Sequence, residues 1–496
     1  MKVAVTGATS DFGTAILPVL LADLDIDSVV GLSRRTLQIE HPKLEAVQMD
    51  IRDPQIEDAM RGCAAVIHLA FVVEEIKDKT ETHDINLRGS RNVIDSAHRA
   101  GVRRVVIASS INAYGPEVRP EPVTEDVYPE GDPDRYYFHD KAEVEHYAEW
   151  WLRRHAGEMA ISMLRPTYII GPSFSNDGID QLTGPVAAFP RADEAAYQFL
   201  HESDMADAFH RAAKQDLDGP FNLGPKDWVG VRELAAMQGQ RLFDVPERPA
   251  IVAANIAFRL GLTPFSGHWV TAGETIVDSA RLTAATGWRP SMSAHECAAI
   301  MILLQGKPLL RKDDALERHI ACEAALAPAS AAVGVDGHGL EHVQLPTATG
   351  SVHAEVHVAQ SVGGGAIVIP APPGLHARYL TPIAAEICAM GIDVVVVDLP
   401  GHGLSTGKRG HANGQAVADA LEVAAAYARS RFHGEPDTLT VGAGAERLSH
   451  RFERHLKPAD GLLPRKVRCD SAILGRLPHA RTPREAVAIA QTAIAT

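Results

Sequence analysis

No apolar run in the 496-residue sequence approaches the ~18 residues that a membrane-spanning helix requires, so we expect no membrane span. Acidic residues outnumber basic ones, and the formal net charge of −15 argues against nucleic acids or anionic membranes as partners. The N-terminus lacks the pattern of a secretory signal peptide, because it reads as a strand followed by a glycine turn. These absences predict a soluble cytoplasmic protein.

Cysteine is also scarce. The five cysteines, at positions 63, 297, 322, 388 and 469, are far apart and odd in number. They match neither a disulfide framework nor the spacing of a metal site, so we expect a reducing compartment and no metal. The apolar share of 46% and the charged share of 22% are those of an ordinary globular protein, and the length predicts two or three domains.

The first motif is a glycine turn between a strand and a helix. Met1 to Thr6 is apolar, Gly7 to Gly13 forms the turn, and an apolar helix follows from Ala15 to Leu21. This order of elements places a pyrophosphate at a helix N-terminus. Ser10 stands where a third glycine would be expected. The alternative is a simple strand-to-helix turn with no ligand.

Further apolar segments repeat the strand pattern. The predicted strands are Ser28 to Leu32, Leu44 to Met49, Ala64 to Ala70 and Val102 to Ala108. Because helical stretches separate most of them, we predict an α/β fold with a doubly wound parallel sheet of the Rossmann type. A ligand then lies across the carboxyl ends of the strands.

The end of the second strand bears on the choice of cofactor. An acid there would bind the ribose hydroxyls of NAD, whereas an arginine would pair with the 2′-phosphate of NADP. Ser33 is followed by Arg34 and Arg35, and no acid is present. We therefore expect NADP, with NAD as the other candidate. The two arginines could instead be solvated charges in a loop.

Tyr137 and Lys141 form the pattern that carries chemistry. Residues four apart on a helix share one face, so the lysine ammonium can stand beside the phenol. A nearby positive charge should lower the phenol pKa from its usual ~10. The pair could then exchange a proton with an alcohol or a ketone.

These motifs, in this order, resemble the extended short-chain dehydrogenase/reductase family, also called the NAD-dependent epimerase/dehydratase family, over about residues 1–305. The matching segments are Thr6-Gly7-x-x-Ser10-x-x-Gly13, Asp50-Ile51, His68-Leu69-Ala70, Asn86-x-x-Gly89-x-x-Asn92-Val93, Ser109-Ser110-x-x-x-Tyr114-Gly115, Tyr137-x-x-x-Lys141, Arg165-Pro166, Gly171-Pro172, Phe199-Leu200-His201, Asn222-Leu223-Gly224 and Gly287-Trp288-Arg289-Pro290. The resemblance implies a Rossmann core mainly in residues 1–172 and a substrate lobe mainly in residues 173–305.

The resemblance also implies roles for individual residues. Ser110 would hold the substrate oxygen, Tyr137 would be the acid or base, and Lys141 would bind the nicotinamide ribose. The implied cofactor site comprises Gly7, Thr9, Ser10, Asp11, Phe12, Gly13, Ser33, Arg34, Arg35, Asp50, Ile51, Leu69, Ala70, Asn86, Ser109, Tyr137, Lys141 and Pro166. Ile111-Asn112 replaces the Asp-Glu pair of the sugar-nucleotide dehydratases, which argues against dehydration.

We therefore expect an NAD(P)-dependent oxidoreductase that acts on a hydroxyl or keto group of a small molecule, as a homodimer. The alternatives are a nucleotide-sugar epimerase and a non-catalytic NADP-sensing regulator or scaffold.

The second half begins after a predicted helix and linker at residues 306–339. Two antiparallel strands, His342 to Leu345 and Val352 to Val358, precede two buried strands, Ala366 to Ile369 and Asp393 to Val397. Together with the loop Asp398 to Ser405, they resemble the α/β-hydrolase fold, particularly its lysophospholipase-like branch, over residues 340–496.

The hydrolase motifs themselves are degenerate. Gly444 stands where the nucleophilic serine of the Gly-x-Ser-x-Gly elbow belongs, and Arg476 stands where the histidine base belongs, although His479 is nearby. Asp460 lies in the segment that resembles the acid loop, and prolines at 370, 372 and 373 occupy the oxyanion segment. We therefore expect a truncated, non-catalytic hydrolase-like domain.

Overall fold

The computed structural model describes residues 1–37, 39, 41–73, 79–117, 119, 122–171, 174, 177–183, 186–237, 240–263, 266–270, 273–304, 326, 330, 340–360, 365–371, 376–389, 391–407, 414–432 and 434–438. The chain divides into two compact units, unit 1 (Met1–Ser173 and Gly184–Ala294) and unit 2 (Phe174–Thr183 and His295–Thr496). Among these described residues, no helix is both long enough and apolar enough to cross a membrane.

Unit 1 is built on a parallel sheet. In its described part, seven strands pair in the order β11-β6-β5-β4-β1-β2-β3, all parallel. The strands are β1 (Lys2–Thr6), β2 (Ser28–Ser33), β3 (Leu44–Gln48), β4 (Ala65–His68), β5 (Arg104–Ala108), β6 (Ala160–Pro166) and β11 (Gly219–Leu223). The Rossmann-type sheet predicted from the apolar segments is therefore confirmed for unit 1.

Helices connect these strands and cover the sheet. They are α1 (Asp11–Ala22), α2 (Ile56–Met60), α3 (Lys79–His83), α4 (Gly89–Arg99), α5 (Tyr136–Arg154) and α7 (Glu202–Lys214). A π-helical turn (Asp84–Arg88) joins α3 to α4, and a 3₁₀ turn (Ile111–Tyr114) follows β5. α1 lies against α7, where the Phe12 and Phe209 rings meet edge to face with centroids 5.9 Å apart.

The cores on the sheet come from its apolar strands. Val66, Val105 and Ile161 are fully or almost fully buried, and they share one cluster with Ile94 of α4 and Trp151 of α5. Strands that alternate with helices bury both sheet faces, which is why their sequences are nearly continuous apolar runs.

Smaller elements complete unit 1. They are β7 (Tyr168–Ile170), β8 (Val186–Phe189), β9 (Ala196–Tyr197), β10 (Phe199–His201), β12 (Val229–Gly230), α8 (Val231–Met237), β13 (Arg241–Asp244), α9 (Glu247–Arg259), a 3₁₀ turn (Gly267–Trp269) and α10 (Ala280–Thr286). The short strands form two-stranded pairs, β10 with β7, β12 with β9 and β13 with β8.

Unit 2 contains a mixed sheet. Its described strands pair in the order β14-β15-β17-β16-β18. The strands are β14 (Glu341–Thr347), β15 (Gly350–His357), β16 (Ala366–Pro370), β17 (Asp393–Val397) and β18 (Asp437–Thr438), and the helices are α6 (Asp177–Leu182), α11 (Ala294–Leu304), a 3₁₀ turn (Ala377–Leu380), α12 (Thr381–Ala389) and α13 (Gly414–Arg431).

In this sheet β15 is antiparallel to its neighbours β14 and β17, whereas β16 is parallel to β17 and β18. The predicted hairpin is confirmed, with its turn at residues 348–349 directly before Gly350, and the two buried strands are confirmed as well. The expected elbow at Gly444, the acid loop at Asp460 and the segment with Arg476 and His479 lie outside the described residues. So do residues 372–374 of the proline-rich segment.

Candidate active site

The glycine turn packs tightly against the end of a neighbouring strand. Gly7 has φ +71°, and a Cβ built there would lie 2.6 Å from the backbone nitrogen of Ala70. A Cβ at Gly13 would lie 2.4 Å from the Ala8 carbonyl oxygen. Ser10 caps α1, because its Oγ accepts a hydrogen bond from the Gly13 N–H at 3.1 Å. The serine that replaces a glycine thus stabilises the helix start that would face a pyrophosphate.

The end of β2 lies beside this turn. Arg35 donates a hydrogen bond through Nη2 to the Thr9 carbonyl oxygen at 3.1 Å, and the Ser33 hydroxyl donates to the Arg35 carbonyl at 2.5 Å. Arg34 is exposed, and its carbonyl oxygen accepts a hydrogen bond from Gln48 at 2.8 Å. Both arginines follow the carboxyl end of the second strand, and the Arg35 guanidinium contacts the backbone of the glycine turn.

Three side chains meet at the start of α5. The Ser110 hydroxyl, which follows β5, accepts a hydrogen bond from the Asn112 N–H at 3.2 Å and interacts with the Tyr137 phenol. Lys141 is buried one turn further along the helix and donates through Nζ to the Ala108 carbonyl oxygen at 2.7 Å. Its Nζ lies 5.6 Å from the centroid of the Tyr137 ring. The predicted helical spacing thus brings the tyrosine and lysine together, and the end of β5 adds the serine.

The expected lowering of the phenol pKa was wrong. Burial raises the pKa of Tyr137 to about 12, and the nearby Glu274 carboxyl adds to this increase. The interaction with the Ser110 hydroxyl favours the phenolate and lowers the pKa of Tyr137, but it does not outweigh burial. Burial also lowers the pKa of Lys141 to about 7, against the opposing influence of the Glu145 and Asp140 carboxylates. Helical spacing indicates proximity but says nothing about burial, which is the larger effect here.

A buried polar network that the sequence did not reveal supports these residues. Glu145 and Arg165 are both fully enclosed, and the Arg165 Nε lies 2.9 and 3.1 Å from the two carboxylate oxygens. Ser109 donates its hydroxyl proton to Glu145. Arg165 also donates to the Tyr114 hydroxyl at 2.6 Å, and Tyr114 in turn donates to the Asn222 side chain at 2.9 Å. The network connects the segment after β5, which carries Ser109 and Ser110, with α5, β6 and β11.

Three of the expected cofactor residues have protein partners. Asp50 forms a two-bond ion pair with Arg52, which lowers the pKa of the Asp50 carboxyl. The Ile51 side chain is buried against Gly89, where an added Cβ would lie 2.5 Å away. Asn86 is fully buried and holds the backbone of Val72, accepting from its N–H at 2.8 Å. Their assignment to the cofactor site stays a prediction.

The end of β4 contributes a buried histidine. The His68 ring contacts the Thr6 hydroxyl at 2.7 Å through Nδ1 and the Ser90 hydroxyl at 2.9 Å through Nε2. Burial lowers the pKa of His68 to about 3, so the ring is neutral at physiological pH. Leu69 and Ala70 continue from this histidine toward the glycine turn, and Pro166 ends β6.

Aromatic side chains surround the phenol. Phe71 meets Tyr137 edge to face, with ring centroids 5.8 Å apart, and lies 3.7 Å from the Lys141 Nζ. The Trp269 ring centroid is 5.5 Å from that of Tyr137. Burial raises the pKa of the Glu274 carboxyl to about 8, and among the described residues its buried Oε2 has no hydrogen-bond partner. Sequence analysis missed these residues because they come from segments distant in the chain.

Comparison with known proteins identifies relatives of the first part of the chain. Residues 3–224 match the model of the NAD dependent epimerase/dehydratase family. Residues 3–224 are an epimerase/dehydratase domain. An L-arabinose 1-dehydrogenase (NAD(P)(+)) of Haloferax volcanii is 26% identical to this chain over 232 residues, which are 44% of the chain and 85% of the relative.

The epimerase/dehydratase domain has other relatives. An N-acetyl-alpha-D-glucosaminyl-diphospho-ditrans,octacis-undecaprenol 4-epimerase of Escherichia coli O157:H7 is 29% identical over 175 residues, which are 35% of this chain and 49% of the relative. The solved structure of MoeE5 in complex with UDP-glucose and NAD is 23% identical, with a TM-score of 0.49 over 61% of this chain and 97% of that one.

Among the residues of unit 2 that the structure describes, Asp398, His353 and Ser405 form a buried polar cluster without the arrangement of a catalytic triad. Asp398 accepts hydrogen bonds from the His353 Nδ1 at 2.8 Å and from the backbone N–H groups of Ala377 and Leu404 at 2.7 and 3.0 Å. The Ser405 hydroxyl donates to the Asp398 backbone carbonyl and accepts from the His353 backbone N–H. The hydroxyl is thus bonded to backbone groups, and the His353 Nε2 meets the His342 ring at 2.9 Å.

Proposed function

We propose that the epimerase/dehydratase domain is an NADP(H)-dependent oxidoreductase that acts on a hydroxyl or keto group of a small molecule. The observation that carries the proposal is that Tyr137 and Lys141 lie side by side, with the Lys141 Nζ 5.6 Å from the Tyr137 ring centroid, and that the Ser110 hydroxyl interacts with the phenol. The family match to residues 3–224 and the NAD(P)(+)-dependent relative support this assignment.

Each side chain has a distinct task. The Ser110 hydroxyl would hold the substrate oxygen, and the Tyr137 phenol would transfer a proton to it or take one from it. Nicotinamide, when bound, supplies or accepts the hydride. Because the pKa of Tyr137 is raised to about 12, the phenol is protonated at neutral pH and ready to act as an acid. This protonation state favours the reduction of a carbonyl group.

The glycine turn fits a dinucleotide. Its backbone is packed against Ala70 and it leads directly into the capped N-terminus of the twelve-residue helix α1, where a pyrophosphate would be stabilised. Arg34 and Arg35 at the end of β2 would pair with a 2′-phosphate, which favours NADP over NAD. The match to an NAD dependent family keeps NAD as the alternative.

A nucleotide-sugar epimerase is the second candidate, and the 4-epimerase relative favours it. The two reactions differ in what happens to the cofactor. An epimerase regenerates its cofactor in each turnover, whereas an oxidoreductase consumes one cofactor per product. Epimerase activity should therefore appear as a change of substrate configuration without net NADPH oxidation.

The test is a panel assay with matched variants. Purified protein and NADPH would be incubated with ketones, aldehydes and sugar nucleotides, and NADPH loss and product configuration would be measured. Tyr137→Phe should reduce turnover by roughly 10²–10⁴-fold, because the proton donor is lost, and it should leave NADPH affinity unchanged. Full activity in Tyr137→Phe would contradict the assigned acid. NADPH binding with no turnover of any substrate class would favour the regulator alternative.

We further propose that unit 2 is a hydrolase-like domain without catalytic activity. Its sequence offers Gly444 in place of a nucleophilic serine and Arg476 in place of a histidine base. The bonding of Asp398, His353 and Ser405 to one another and to backbone groups supports a structural role for this set. A role in the stability or assembly of the protein is therefore the better interpretation.

A further inference from the structure

Two histidines and an aspartate converge where the start of α5 meets the helical segment 79–99. The His83 Nδ1 lies 2.5 Å from the Asp140 Oδ1, and the His139 Nδ1 lies 3.1 Å from the same oxygen. The three side-chain atoms all lie within 4.8 Å of one another. His83 comes from the end of α3, 57 residues before Asp140 in sequence, so the fold rather than a sequence motif brings these groups together.

A buried amide holds the carboxylate in place. Asn86 lies in the π-helical turn after His83 and donates through Nδ2 to the Asp140 Oδ2 at 3.0 Å. Its other contacts are with the backbone of Val72, so the amide cannot rotate freely. A carboxylate fixed through one oxygen by an outer partner presents the other oxygen to a metal, as in natural metal sites. π-Helical turns also occur frequently at functional sites.

The cluster is open on one side. The His83 and His139 side chains are 37% and 36% exposed, whereas Asp140 is fully enclosed. A hydrated cation can therefore reach the imidazole nitrogens from solvent and meet the carboxylate behind them. Together the two imidazoles and one carboxylate form the N and O donor set that suits zinc and related divalent ions.

We propose that His83, His139 and Asp140 bind one divalent cation of the zinc class through two Nδ1 atoms and one carboxylate oxygen. Bonds of about 2.0–2.2 Å in a tetrahedral site place neighbouring ligand atoms roughly 3.3 Å apart. The 3.1 Å between the His139 Nδ1 and the Asp140 Oδ1 is already close to this value. The 2.5 Å between the His83 Nδ1 and the same oxygen would have to increase by less than about 1 Å. Each imidazole would carry its proton on Nε2, and a fourth position would remain for water.

A cation bound at this site would fix the positions of nearby residues, and this effect does not depend on which reaction the domain catalyses. Asp140 directly precedes Lys141, and Asn86 connects the carboxylate to Val72, the residue after Phe71. Phe71 in turn lies over the Lys141 ammonium. A bound cation would fix Asp140 and Asn86 and thereby hold this wall of the Tyr137 site. We assign it a positioning role and no step in proton or hydride transfer.

The test measures metal binding directly on the full chain. Protein with its purification tag removed would be stripped with EDTA, dialysed, and titrated with Zn²⁺ in a calorimeter and with Co²⁺ in an absorption spectrometer. We expect the unmodified chain to bind one equivalent of Zn²⁺ and to show the intense visible bands of four-coordinate Co²⁺. The single variants His83→Ala and His139→Ala should each remove these bands. Each should weaken affinity by more than about 100-fold, and Asn86→Ala should weaken it by roughly 10–100-fold.

A second cluster supplies the matched control. His98, His155 and Glu158 also place three donor atoms within 4.8 Å of one another, but Glu158 is 50% exposed. Glu158→Gln should leave the Zn²⁺ affinity and the Co²⁺ bands unchanged. Loss of binding in Glu158→Gln would overturn the proposal by placing the metal at the second cluster.

The remaining outcomes are equally decisive. Equal Zn²⁺ affinity in the unmodified chain and in the His83→Ala/His139→Ala double variant would show that the bound metal lies elsewhere, for example on cysteines. The absence of Co²⁺ bands from the unmodified chain would show that the cluster is only a set of hydrogen bonds. Both imidazoles are partly exposed, so tryptophan fluorescence spectra should show that the single alanine variants fold.

Discussion

Loss of Arg165 should destabilise unit 1 strongly. Arg165→Met would leave the Glu145 carboxylate fully buried with Ser109 as its remaining donor in the network described above. Breaking a buried ion pair by removing one partner costs about 3–5 kcal/mol, because the other charge is left uncompensated. Glu145→Leu combined with Arg165→Met should cost less, about 1–3 kcal/mol, since the charge is gone and mainly the Ser109 and Tyr114 hydroxyls lose partners.

The tryptophans give a selective assay for this prediction. All five, at positions 150, 151, 228, 269 and 288, lie in unit 1, so urea unfolding followed by intrinsic fluorescence reports on unit 1. The control is Arg153→Met, which breaks an ion pair between the exposed Arg153 and Glu149 near the end of α5, the helix that carries Glu145. This substitution should lower the free energy of unfolding by less than about 1 kcal/mol. An Arg165→Met variant within 1 kcal/mol of the unmodified protein, or a double variant less stable than the single one, would refute the reasoning.

Three further outcomes are expected. Arg34→Ala should weaken NADPH binding by about 1–3 kcal/mol and leave NADH binding unchanged, as measured by calorimetry; equal affinity of the unmodified protein for both cofactors would contradict this. Burial raises the pKa of Asp204 from 3.8 to about 7, although the hydrogen bonds with Ser291 oppose this shift and Asp207 adds to it. The free energy of unfolding therefore falls by up to roughly 4 kcal/mol as pH rises from about 4 past 7, because the unfolded chain loses the proton at lower pH than the folded one. Asp204→Asn cannot ionise and should therefore unfold at higher urea than the unmodified protein at pH 8.5 but not at pH 4; the same gap at both pH values would rule out the titration. A fluorophosphonate probe should leave unit 2 unlabelled beside a labelled serine-hydrolase control, whereas stoichiometric serine labelling there would show a working nucleophile.

The sequence predicted the parts of unit 1 that depend on local pattern. Continuous apolar runs identified the strands from Ser28 to Ala108, because a parallel sheet is buried on both faces. A helical spacing placed Tyr137 and Lys141 on one face, and the structure brings them together as expected.

The sequence could not predict interactions that depend on topology. Glu145 and Arg165 meet because α5 crosses back over the sheet before β6. His83 reaches Asp140 across 57 residues because α3 packs against α5. The sign of the phenol pKa shift was missed because burial is a property of the packed fold, whereas the adjacent lysine was visible in the sequence.

The contact between α1 and α7 has a consequence for synthesis on the ribosome. Asp23 after α1 bonds to His210 of α7, which is made 187 residues later. At about 5–20 residues per second, roughly 10–40 s pass between the synthesis of α1 and that of α7, and during this time the face of α1 that carries Phe12 has no helix packed on it. β11, which ends at Leu223, completes the edge of the sheet later still. The nascent chain thus presents an apolar helix face and an open sheet edge for tens of seconds, which is the interval in which a chaperone would bind it.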